Sequence, residues 1–156
     1  AMGFFPLIRQ PLVIVSPEQH PIADEPEVPL VKLTRYPVIG YDRASWMGAY
    51  TGHLYRKYQL HPNIIRECRE ENWFGAWEAL MPRTDILEQA DGIRIHTLKG
   101  LEIYHQTFMF WMKNRYRLPA VERFTEYMKQ HADIIEESRN DSENVSKVYL
   151  KDIVNF

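Results

Sequence analysis

Cysteine is nearly absent: Cys68 stands alone in 156 residues. A single cysteine excludes an internal disulfide and suits a reducing compartment. Acidic neighbours, Glu67 and Glu70, deny it the cationic setting that activates a nucleophilic thiol. Glycine is scarce too, seven in all and spread singly, so no glycine-rich loop can cradle a phosphate. No apolar run approaches the ~18 residues of a membrane-spanning helix. Neither sign of charge dominates. Lys and Arg number 19 against 21 Asp and Glu, a net −2, with no basic cluster. That excludes the electrostatic footprint of non-specific nucleic-acid binding. The opening Ala1-Met2-Gly3-Phe4-Phe5-Pro6 has no basic leader before an apolar stretch, which predicts no signal peptide. Six histidines are scattered, without His-Glu-x-x-His, Cys-x-x-Cys or paired-His spacing, so neither a metal nor a cofactor is expected. No Gly-x-Ser-x-Gly elbow occurs. Glu70-Glu71 and Glu136-Glu137 read as solvated surface rather than as an acid/base pair. Enzyme chemistry is therefore not expected.

What is present is a globular composition, 45% hydrophobic and 26% charged. Such a length supports one real core or two small lobes. Leu12-Val-Ile-Val15 is four apolar residues in a row between Pro11 and Pro17, the pattern of a strand buried on both faces. Pro17 to Pro29 holds four prolines and reads as an extended loop, hugging the surface through Ile22 and Val28. Tyr36 to Tyr41 predicts a second strand. Asp42 to Gln59 predicts a helix with an apolar stripe of Met47, Tyr50, Leu54 and Tyr58. Asn63 to Cys68 predicts a third strand. Thr84 to Gln89 predicts a short helix capped by Thr84, and Ile93 to Leu98 a strand with one exposed face. Gln106 to Met112 predicts an aromatic-rich strand. Leu118 to Glu137 predicts a helix with Pro119 in its first turn and Val121, Phe124, Met128 and Ile135 as its core stripe. Trp73, Phe74 and Trp77 keep helical spacing and read as core. Strands alternating with helices indicate an α/β architecture with a largely parallel sheet.

One junction carries chemistry. The strand ending at Tyr41 runs straight into a helix through Asp42-Arg43-Ala44-Ser45. In an open α/β sheet, ligands bind at the carboxyl ends of the strands. A helix start offers unpaired N–H groups and the positive end of a dipole. Ser45 can add a hydroxyl donor to a bound anion, or Asp42 or Ser45 can simply cap the helix. Arg43 can hold a carboxylate bidentately or form a surface salt bridge.

Five stretches together resemble LysR-type transcriptional regulators. Gln10-Pro-Leu-Val-Ile-Val-Ser-Pro-Glu-Gln-His-Pro-Ile-Ala23 is similar to the segment entering the second lobe of their effector domain. Tyr36-Pro-Val-Ile-Gly-Tyr-Asp42 and His61-Pro-Asn-Ile-Ile-Arg-Glu67 resemble the following strands of that lobe. Ala79-Leu-Met-Pro-Arg83 resembles its strand into a proline turn, and Thr107 to Phe124 its returning strand and C-terminal helix. Two departures stand out. Between Asn72 and Leu80 the chain has only Trp-Phe-Gly-Ala-Trp-Glu-Ala, shorter than the family's helix and loop. The winged helix-turn-helix and the first half of lobe one are also absent. The resemblance implies a type II periplasmic-binding-protein-like fold with a Rossmann-like lobe and an incomplete second lobe. It places lobe two at residues 7–115, the C-terminal helix of lobe one at 116–137 and a tail at 138–156, with lobe crossings near Arg9-Gln10-Pro11 and Lys113-Asn114-Arg115. It implies a cytoplasmic effector sensor that grips a small, anionic metabolite between its lobes. Tyr41, Asp42, Arg43, Ser45 and Thr84 would be the pocket residues, with Pro82 and Arg83 on the same loop as Thr84. DNA would be reached only through the missing reader. A helix left without its sheet implies a homodimer or higher oligomer. The alternatives are a small α/β enzyme and an interaction fragment that binds no ligand.

Overall fold

The computed structural model describes residues 2–69 and 78–131. Trp73, Phe74, Trp77 and Ile135, the shortened stretch after Asn72 and the tail from 138 lie wholly or largely outside them. The chain divides into two units, one of Gln10–His105 and one of the residues up to Arg9 with those from Gln106 onward. Strands β1 (Met2–Pro17) and β7 (Tyr104–Met112) contribute residues to both.

In the Gln10–His105 unit, the apolar run of β1 is the central strand. It lies between β5 (Ala79–Pro82) and β6 (Ile93–Leu98), antiparallel to both, with Leu12 opposite Pro82 and Val13 opposite Thr97. Strand β2 (Glu27–Val28) is parallel to β6, and β3 (Pro37–Tyr41) is parallel to β4 (Asn63–Cys68). The Ile39 N–H donates to the Glu78 carbonyl at 2.9 Å, and Val38 bridges Glu78 in parallel, joining β3 to the start of β5. The sheet is thus parallel except for β1, a reversal that the alternation of strands and helices did not reveal. Strands β5 and β6 flank β1 and run parallel to each other, so the β5–α2–β6 connection, with α2 at Asp85–Glu88, crosses over β1.

The period-2 geometry of β1 feeds two cores. Leu12 and Ile14 join Ile22, Val28, Leu33, Val38, Leu54 and Leu80 on one face. Val13 and Val15 join Tyr41, Met81, Leu87 and Ile93 on the other. The proline-rich loop does hug the surface, with Ile22 and Val28 fully buried. It also contributes β2, so it is not wholly irregular.

The expectation that β6 has one exposed face is corrected. Ile93 and Leu98 enter opposite cores, and His96 is buried. The His96 ring lies 2.8 Å from Ser16 Oγ and hydrogen-bonds the Glu25 carbonyl of the proline loop, while the Thr97 N–H donates to Pro26 O. The loop supplies the cover that a strand reading alone cannot anticipate. Helix α1 (Trp46–Lys57) is closed off just past its C-cap Tyr58 by Gln59, whose φ of 53° lets the Leu60 N–H reach Tyr55 O at 2.8 Å.

The other unit, as described, is the first part of β1, most of β7 and helix α3 (Pro119–His131). The Trp111 indole packs on Gly3, where a Cβ would come within 2.4 Å of the ring. Lys129 and Arg117 stand over the same indole at 5.1 and 5.9 Å. The core stripe assigned to α3 is corrected. Val121 and Phe124 are 46% and 59% exposed, and Thr125 is the buried residue of the helix. The helix therefore turns Thr125 inward and leaves Val121 and Phe124 outward, while Met128 of the stripe is half-buried.

Candidate functional site

Because β3, β4 and β5 run parallel, their carboxyl ends share one edge of the sheet. The registers bring Tyr41 beside Cys68 and place Pro82 at the same edge, where the Arg83 N–H donates to Pro11 O at 2.9 Å. All five candidate residues lie along this edge, at the ends of β3 and β5.

The chain leaves β3 through a tight turn. The Ser45 N–H donates to Asp42 O at 2.8 Å, and the Ser45 hydroxyl donates to the same oxygen at 2.6 Å. Ser45 Oγ also accepts from the Gly48 N–H at 3.0 Å, so it is the N-cap of α1. Among the described residues, the N–H groups of Trp46 and Met47 find no partner and are the orphan donors at the start of the helix. Gly48 is required here, since a Cβ would fall 2.0 Å from Asp42 O.

Asp42 accepts from the Ala44 N–H at 2.9 Å and from Arg69 Nε at 2.6 Å. The Arg69 guanidinium, aided by the Ala44 N–H, holds the Asp42 carboxyl below the usual carboxylate range, and Asp42 in turn raises Arg69. Arg43 Nε pairs with Glu67 Oε1 at 2.6 Å. Both arginine side chains remain over 80% exposed. Each of these two pairs is neutral overall, and the positive end of the α1 dipole lies beside them. Thr84 accepts from the Leu87 N–H at 3.2 Å and caps α2, and Arg83 pairs with Glu88. Tyr41 is buried with Met81 and Leu87.

Each of the five side chains therefore has a role inside the fold. Sequence reading missed Arg69 and Gly48. The Arg69–Asp42 pair spans 27 positions and follows from the β3–β4 register, while a glycine three residues after a capping serine was a local clue. Among the described residues, no group of three or more His, Cys, Asp or Glu is placed to hold a metal. No helix among them is long and apolar enough to cross a membrane.

A family model described as "LysR substrate binding domain" matches residues 2–71. An uncharacterized HTH-type transcriptional regulator, YnfL of Escherichia coli (strain K12), is 25% identical over 126 residues, 76% of this chain and 42% of that protein. Among solved structures, the effector binding domain of QuiR in complex with shikimate superposes with a TM-score of 0.75 at 20% identity, covering 84% of this chain and 65% of that one. The regulatory domain of CcmR from Synechocystis PCC6803, in complex with 2-PG, gives 0.74 at 13% identity, covering 86% and 68%. This chain thus spans less than half of the curated relative and about two thirds of the solved domains. The fold is the α/β, type II periplasmic-binding-like fold of LysR effector domains.

Proposed function

We propose that this chain, which carries the LysR substrate-binding pattern on the fold of LysR effector domains, is the effector-sensing part of a bacterial transcriptional regulator. The observation that carries the reading is the start of α1. Two free backbone donors, on Trp46 and Met47, stand beside two exposed arginines at the carboxyl edge of parallel strands. A small carboxylate accepts from those N–H groups, and Ser45 and Thr84 border it. Arg43 and Arg69 can exchange Glu67 and Asp42 for the ligand, since exposed ion pairs cost little to open. Such an exchange would release the ties between the β3–α1 turn and the end of β4, giving binding a structural consequence.

In this reading Gln10–His105 is the core of lobe two, taken as residues 7–115. Helix α3, within residues 116–137, belongs to lobe one, and 138–156 is a tail. The ligand is not turned over, DNA is contacted by another part of the regulator, and the protein works in the cytoplasm as a dimer or higher oligomer. The complexes of QuiR with shikimate and CcmR with 2-PG support a small-molecule effector. A thermal-shift screen of small carboxylates tests it. At 100 times its Kd, a ligand stabilises the folded state by about 2.7 kcal/mol, a shift of several degrees. No shift with any carboxylate at millimolar concentration defeats the reading.

A second reading, an interaction module without a ligand, draws on the exposed Val121, Phe124 and Tyr127 of α3. It requires self-association without any ligand response. The ligand response separates the two, because a saturable thermal shift with a carboxylate removes this reading.

A further inference from the structure

Glu78 stands where β3 meets β5. Its carbonyl accepts from the Ile39 N–H at 2.9 Å, yet its own side chain is fully buried and neither carboxylate oxygen has a hydrogen-bond partner among the described residues. Such a group is among the costliest to carry as an ion. Tyr55 of α1 is a buried phenol whose proton loss is pushed up by burial and by the charge of Glu78. Lys32, in the 3-10 turn Leu30–Thr34, attracts Glu78, but its ammonium is committed to Glu25 at 2.9 Å. The facing residues of β3, Val38 and Ile39, carry no charge.

We propose that the β3–β5 junction is a proton-linked latch, closed while Glu78 is neutral and opened when its ionisation drives the carboxylate toward water. Burial, opposed by Lys32, pushes the Glu78 carboxyl up to about 7. An opened junction returns it toward its ordinary value of 4.5. Between these values the closed state retains a proton that the open state has lost. Rising pH therefore weakens the closed state across that window, and the effect levels off above it. The latch lies on β3, directly before the turn that builds the α1 start, so proton release would loosen the support of that turn. None of this depends on an effector being bound.

Amide hydrogen exchange of Ile39 in the full chain reads the latch. After correction for intrinsic exchange, its opening constant should rise about tenfold per pH unit between roughly 5 and 7, then level off. The Leu12 amide, bonded to Ile103 O, should show no such slope. Glu78→Gln should abolish the slope. Lys32→Met, which removes the attraction without touching the buried group, should move the levelling point to higher pH. A pH-independent Ile39 amide in the wild type, or an unchanged slope in Glu78→Gln, overturns the proposal. Should Glu78→Gln fail to fold, an unmoved levelling point in Lys32→Met does the same.

Discussion

Strand β1 passes through two environments. Near its start, Phe4 and Ile8 are 40% and 47% exposed, whereas Leu12 to Val15 are almost wholly buried, none above 4%. The residue types are equally apolar; what differs is what lies beside them. Within Gln10–His105 the strand has β5 and β6 as neighbours and apolar cover on both faces. Within the other unit, the described residues give it β7 and one helix, and Phe110 and Met112 of β7 are exposed as well. Apolar patterning establishes that a segment can be buried, and only the surrounding layers bury it.

This contrast can be broken by substitution. Ile14→Ala, at a position with no exposure, should cost about 3–4 kcal/mol in urea unfolding, from lost transfer energy plus the cavity. A cost below about 1 kcal/mol would mean that the two-faced core of β1 is loosely packed. Glu78→Gln sharpens the contrast from the polar side. The raised value of about 7 against the ordinary 4.5 destabilises the native chain above neutrality. At pH 8 the variant should gain up to about 3 kcal/mol, the gain shrinking toward zero near pH 4.5, as thermal melts across pH would show. Gly48→Ala forces a Cβ onto Asp42 O and should cost about 2 kcal/mol. Ser45→Ala removes the cap for about 1 kcal/mol, and Ser45→Gly for only a few tenths. Phe124→Ala should be nearly neutral, within about 0.5 kcal/mol, because its ring is 59% exposed. A loss above about 2 kcal/mol that disappears on dilution would show that a second chain covers α3.

Local chemistry was legible from the sequence. The run Leu12 to Val15, the cap at Ser45 and the cap at Thr84 each follow from residues within a few positions of one another. Apart from Gly48, whose clue was local, the missed features depend on distant residues. The reversal of β1 follows from its pairing with β5 and β6, over 60 positions away. The burial of His96 depends on Ser16 and Glu25, and that of Glu78 on elements far from it in sequence. For the site, the sequence named five candidates that the fold places along one sheet edge, and it offered the cap role of Ser45 as an alternative. It was silent on the partners that hold Asp42 and Arg43, because those come from the end of β4 through the sheet register.

The central claim, that the start of α1 receives an anion, is tested most directly by following backbone amide resonances while a stabilising carboxylate is titrated into the full chain. The Trp46 and Met47 amides, as the free donors of α1, should show the largest shifts, with Arg43 and Arg69 side-chain resonances moving as their ion pairs exchange. Saturable shifts that leave Trp46 and Met47 in place, or no saturable shift anywhere at millimolar ligand, would contradict it.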